Sequence, residues 1–204
     1  MIPLRCDGPE RAVNTIVLAH GAGAPMDSPF LEHFANGLAT RCLRVVRFEF
    51  PYMHARREGR RPPPDRELVL LDRWRAVLAA LGGPPPVIGG KSLGGRMASL
   101  LADEVGARGL VCLGYPFHPP GKPQRLRVAH LEALRTAALV VQGTRDALGS
   151  HEEVASYRLS PSIRIHWIED GDHSLKPRAR SGRSERQNLD EAVAAVAQFV
   201  AGLR

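Results

Sequence analysis

A chain of 204 residues with 44% hydrophobic content can bury one good core and is short for two, so a single domain over residues 1–204 is expected. No run of about 18 apolar residues occurs, and the opening MIPLRCDGPER lacks the apolar stretch of a secretory leader; a membrane partner is excluded and a soluble, cytoplasmic protein expected. The 28 basic and 21 acidic residues leave a net charge of +7, but the arginine clusters that carry it lack interleaved aromatics or a nucleic-acid motif, so nucleic acid is not an expected partner.

In chain order, Thr15 to Ala19 is an apolar run of strand length, and the small-residue loop His20-Gly21-Ala22-Gly23-Ala24 follows it. Ser28 before Pro29 marks a helix start, with the hydroxyl as cap and the proline in the first turn. A second strand is expected over Leu43 to Phe48. After it come the basic cluster Arg56, Arg57, Arg60, Arg61 and Arg66 and a stiff proline-rich loop over Arg61 to Asp65. Leu71, Trp74, Leu78 and Leu81 recur at helical spacing.

Pro86 to Gly90 is the next strand, and a helix beginning near Gly94 carries Met97, Leu100, Leu101 and Val105 on one face. The strand Gly109 to Gly114 leads into a second proline-rich surface loop, Tyr115 to Pro123, and then a helix-like stretch, Val128 to Arg135. Ala138 to Gln142 and Arg164 to Ile168 are the last strands. A second basic cluster, Lys176, Arg178, Arg180, Arg183 and Arg186, precedes a helix whose face is Leu189, Ala192, Val193, Val196 and Val200. Apolar strands alternating with amphipathic helices predict an α/β fold with a mostly parallel sheet covered on both faces. Cys6, Cys42 and Cys112 are odd in number and unrelated in spacing; they read as reduced thiols, two of them in buried strand-like surroundings, and no metal site is expected.

The chemistry centres on Gly90-Lys91-Ser92-Leu93-Gly94, a G-x-S-x-G between a strand and a helix. Such a turn holds the serine in a strained conformation, and glycines on either side let the backbones pass. A phosphate-binding G-x-x-x-x-G-K-[ST] loop would need glycine where Pro85 stands. The role of Lys91, next to the nucleophile, stays open.

A serine hydroxyl needs a base and the base an orienting carboxylate. Loops at the carboxyl ends of strands offer His20, His118 and His173. His173, in EDGDHS after the last strand, is the choice for the base, and it alone gives the chain order Ser, acid, His. Asp146, in QGTRD after Ala138 to Gln142, is the acid; Asp172 is the alternative, but adjacent residues rarely share one hydrogen bond. The oxyanion hole should be the backbone N–H groups of Leu93, directly after the serine, and of Ala22, with Gly23 as the alternative. His118 and Tyr115 are weaker candidates for lining the pocket, and Gly23 for substrate contact.

With HGAGAPMDSPF from His20, the YM and GRRPPPDR stretch, GGKSLGGRMAS, GYPFHPPGKP, QGTRDALG and GDHSLKP in order, the chain resembles small bacterial serine hydrolases of the α/β-hydrolase fold. The likeness is to the dienelactone-hydrolase-like group, whose eukaryotic relatives include a subunit of a chromatin acetyltransferase complex. It implies a compact doubly wound sheet of about six to seven strands, the triad Ser92, Asp146 and His173, and no cofactor. Serine in place of the cysteine of dienelactone hydrolase argues against that enzyme's substrate. The connection after Gly114 is too short for a helical lid, so an open site is expected.

The resulting expectation is a carboxylesterase on small soluble esters. The triad alone does not distinguish it from a thioesterase or peptidase, and a hydrolase fold can also serve as a non-catalytic interaction scaffold. Both basic clusters follow strands, so Arg60 and Arg61 are expected to favour an anionic substrate. The sequence carries no indication of oligomeric state.

Overall fold

A computed structural model describes residues 2–203; Met1 and Arg204, the ends of the expected 1–204 domain, lie outside the described residues. Seven strands form one sheet in the order β1-β3-β2-β4-β5-β6-β7. These are β1 (Leu4–Asp7), β2 (Thr15–Ala19), β3 (Arg44–Phe48), β4 (Val87–Lys91), β5 (Gly109–Leu113), β6 (Ala138–Gly143) and β7 (Ile163–Ile168). From β2 onward all neighbours run parallel, and each strand lies within a residue of its expected span. The helices are α1 (Pro29–Ala39), α2 (Pro51–Arg57), α3 (Glu67–Leu81), α4 (Leu93–Leu101), α5 (His151–Val154) and α6 (Glu185–Ala201).

Successive residues of a strand face opposite sides of the sheet, and here both sides are apolar. Ile16, Leu18, Val45, Val111 and Val141 join Phe34 and Leu38 of α1 and Val193 and Val196 of α6 in one core. Val17, Val46, Ile88, Cys112 and Val140 join Trp74 and Val77 of α3 and Met97 and Leu101 of α4 in the other. The sheet is thus doubly wound. Because β2 to β7 are parallel, the loops after β2, β3, β4, β6 and β7 all emerge at one edge. Ser28 caps α1 as expected, its hydroxyl accepting the Leu31 N–H, with Pro29 at the first helical position.

Several expectations are corrected. β1, antiparallel to β3, was not foreseen: four residues with Arg5 and Cys6 exposed carry too little apolar pattern. Leu70 and Val77, rather than Leu71 and Leu78, flank Trp74 on the buried stripe of α3; Leu71, Leu78 and Leu81 pack at its margin. The run Leu68-Val69-Leu70-Leu71 is apolar all round, so spacing leaves the roll of the helix undetermined.

Val128 to Arg135 forms only a 3₁₀ turn, Ala129–Leu131. Its backbone partners are tertiary instead: the Asp103 carboxylate accepts the N–H groups of Arg135 and Thr136, and Ser160 donates through its hydroxyl to Leu134 and its N–H to Leu131. The start of the Tyr115 to Pro123 loop is core, not surface, since Tyr115 and Phe117 are fully buried and their rings meet edge to face at 4.8 Å. Of the cysteines only Cys112 is buried; Cys6 lies on the edge strand and Cys42 on an exposed turn with φ 62°. No helical layer is inserted between β5 and β6 among the described residues, and no described helix is long and apolar enough to cross a membrane.

Candidate active site

β4 ends at Lys91 and α4 begins at Leu93, so Ser92 alone makes the turn, with φ 49° and ψ −111°. An L-residue there stores about 1–3 kcal/mol of strain. Two hydrogen bonds hold it, from Ser92 N–H to Leu113 O (3.0 Å) and from Arg96 N–H to Ser92 O (2.9 Å). The flanking glycines are required by close approach to β2: a Cβ at Gly90 would lie 2.2 Å from Ala19 O, and one at Gly94 2.4 Å from the same atom.

The loops after β6 and β7 bring Asp146 and His173 to this turn. His173 Nε2 is 2.9 Å from Ser92 Oγ, and His173 Nδ1 is 2.8 Å from Asp146 Oδ2. Asp146 is fully buried and also accepts from Gln142 Nε2 (2.8 Å) and from the Leu148 N–H (2.8 Å). An ionised carboxylate only accepts. His173 therefore carries its proton on Nδ1, and the Nε2 lone pair faces the Ser92 hydroxyl. The alternative acid, Asp172, accepts instead from the N–H groups of Ser174 and Lys176 in its own loop.

Gln142 was not singled out from the sequence. Its buried Nε2, with two hydrogens to give, lies within reach of Asp146 Oδ2, Tyr115 O (3.2 Å) and Gly149 O (3.1 Å), and its Oε1 accepts the Tyr115 N–H (2.7 Å). The available signal was a long polar amide closing the otherwise apolar ALVV strand, four residues before the acid.

The loop after β2 is fixed from behind. His20 is buried, accepts the Phe50 N–H at Nε2 (3.1 Å) and donates from Nδ1 to Gly21 O (2.7 Å); burial lowers its pKa and keeps the ring neutral. The Tyr52 hydroxyl lies 3.3 Å from Gly21 O and 3.2 Å from Ala22 O, and Arg56 Nη1 donates to Ala22 O (3.2 Å). In a trans peptide the N–H points opposite to the preceding C=O. The N–H groups of Ala22 and Gly23 are thus turned away from Tyr52 and Arg56. Neither these two nor the Leu93 N–H has a protein acceptor among the described residues.

The remaining candidates are placed differently. Tyr115 lies in the core beneath the site, its hydroxyl donating to Arg127 O (3.0 Å). His118 is buried too, bonded to Pro119 O and 3.4 Å from Glu153. Arg60 pairs with Glu58, while Arg61 is exposed. Among their neighbours, Arg57 binds Glu49 and Asp27, Arg178 binds Asp170, and Arg183 binds Glu191. No cluster of three or more His, Cys, Asp or Glu side chains suited to a metal ion occurs among the described residues.

A profile of the family described as an alpha/beta hydrolase domain matches residues 12–201. Among solved structures, the chain is similar to a lid-less serine hydrolase from Xanthomonas campestris, at 17% identity over 97% of this chain and 87% of that one, TM-score 0.70. It is similar to Est1E from Butyrivibrio proteoclasticus, solved with ferulic acid bound, at 15% identity over 99% and 95%, TM-score 0.74. It is also similar to the esterase domain of a Rhodothermus marinus protein, at 18% identity over 98% and 94%, TM-score 0.68.

Proposed function

This chain belongs to the alpha/beta hydrolase domain family, and from that premise we propose that it is a serine hydrolase, most simply a carboxylesterase acting on small soluble esters. The observation that carries the reading is the unbroken relay from Ser92 Oγ through His173 to buried Asp146, at 2.9 and 2.8 Å.

In this reading Ser92 Oγ attacks the ester carbonyl carbon as its proton passes to His173 Nε2. The negative oxygen that forms meets the N–H groups of Leu93 and Ala22, with Gly23 alongside, at the positive end of α4. His173 returns the proton to the departing alcohol. It then takes a proton from water as the water oxygen attacks the acyl carbon, and gives that proton to Ser92 Oγ as the acyl bond to Oγ breaks and the carboxylic acid leaves, while Asp146 stabilises the transient imidazolium. The likeness to an esterase domain and to a protein holding a carboxylic acid supports this class, and the direct connection from β5 to β6, without an inserted helical layer among the described residues, suits small, freely diffusing esters.

The test is mass-spectrometric labelling with a fluorophosphonate. Label is expected on Ser92 in the wild type and lost in Ser92→Ala, with His173→Ala slowed at least about 10³-fold. A folded wild type that takes no label would reject the hydrolase reading in favour of an interaction scaffold. Matched oxygen esters and thioesters then separate carboxylesterase from thioesterase.

A further inference from the structure

Lys91 is the last residue of β4, one position before the nucleophile, and among the described residues it makes no ion pair. Lys91 is half-buried, and lysine seldom turns away from water without a paired charge. Its ammonium nevertheless turns inward, donates to the main-chain carbonyl of His173 and lies 5.3 Å from the centre of the Phe30 ring, a cation–π distance.

Three loops close around it. A Cβ at Gly114 would stand 2.7 Å from Lys91 Nζ and 2.6 Å from His173 O, and Gly114 has φ +67°. Glycine there leaves space for both the lysine tip and the carbonyl of the base. Gly21, at the start of the oxyanion loop, packs on the lysine stem, its hypothetical Cβ 3.4 Å from Lys91 Cγ.

We propose that Lys91 is a positioning residue, whose ammonium ties the His173 loop to the nucleophile elbow and sets the base against Ser92. The inference rests on the reading of Ser92 and His173 as the reacting pair. His173 reaches Ser92 from a loop with no regular structure; Asp146 holds its ring, and the bond at its carbonyl anchors its main chain. A charged donor binds a carbonyl about twice as strongly as a neutral one, so the protonated lysine is the better anchor.

The titratable groups facing Lys91 are Asp146 from the loop after β6 and Asp172 and His173 from the loop after β7; α1 presents the Phe30 ring. Burial pushes the ammonium down to about 8, against the opposing pull of Asp146 and Asp172. Lys91 therefore carries its charge below about pH 8 and loses it above, and the anchor weakens in that direction.

The experiment measures p-nitrophenyl acetate hydrolysis from pH 6 to 10, with hydrogen exchange of the 172–175 amides read in parallel. Lys91→Met, similar in length and uncharged, is expected to lower kcat about tenfold with KM unchanged. It should also abolish the decline above about pH 8 and speed exchange in the His173 loop. Lys91→Cys, made in a Cys6→Ser/Cys42→Ser background and alkylated with 2-bromoethylamine, restores an amine of lower basicity. It should recover kcat at pH 7 and move the alkaline decline to lower pH. A folded Lys91→Met with wild-type kcat and pH profile would overturn the inference, as would unchanged loop exchange, which is read whether or not the ester turns over. A wild type inert to both ester and fluorophosphonate sinks the hydrolase reading instead.

Discussion

The Gln142 side chain makes four polar contacts in the core, and only one of them is to Asp146. Gln142→Leu keeps the volume but leaves the Tyr115 N–H and the Gly149 C=O unpaired, while the Tyr115 C=O keeps the Phe117 N–H (3.1 Å). Each buried group left so costs about 1–3 kcal/mol, so a clear fall in Tm is expected. Asp146 keeps the Leu148 N–H and His173, so kcat/KM should fall by only about tenfold. Thermal melts with ester assays on one preparation check both, and a wild-type Tm would show that the network holds without the amide. That Ser92, Asp146 and His173 come together at one sheet edge could be anticipated from the sequence because each stands at a strand end among turn residues. Gln142 and Lys91 were not assigned roles. Their importance lies in contacts 27 and 82 residues distant in sequence, which no local pattern encodes.

Among the elements, the strand-turn-helix at Ser92 and the six parallel strands were readable, because glycines demanded by close packing and apolar runs buried on both faces leave marks in the composition. The stretch from Val128 to Arg135 misled for the opposite reason. Its helical pattern is genuine, but Asp103 and Ser160 supply backbone partners from elsewhere in the fold, and tertiary bonds displaced the helix. The loop after β2 is another element whose shape comes from outside itself. Tyr52, on the first turn of α2, sets its one hydroxyl hydrogen between two successive carbonyls of that loop. Tyr52→Phe removes this hydroxyl while retaining the ring. His20 and Arg56 still hold Gly21 and Ala22, so the fold should survive, and kcat is expected to fall about three- to tenfold with KM little changed, as for a loosened transition-state contact. A rise in KM at constant kcat would instead place Tyr52 in substrate binding.

At the scale of the whole molecule, the charge of +7 is unevenly neutralised. In the two basic clusters, Arg57, Arg60, Arg178, Arg183 and Arg186 face carboxylates, so much of what reads as a basic patch is paired, mostly with carboxylates close in sequence. Arg61, Arg66 and Arg180 are exposed and have no ion pair among the described residues. They lie in the segments after β3 and β7, and β3 and β7 run parallel to β4, whose end carries Ser92. A positive field at that sheet edge raises the encounter rate of an anionic substrate and is screened within about 10 Å at 0.1 M salt. Reversing Arg61, Arg66 and Arg180 to glutamate is therefore expected to lower kcat/KM for p-nitrophenyl hemisuccinate several-fold at low ionic strength, while p-nitrophenyl acetate stays within about twofold. The gap should close in about 0.5 M sodium chloride. An equal fall for both esters would mean that the substitutions disturb the site itself, and an unchanged ratio at low salt would mean that the positive edge plays no part in substrate choice.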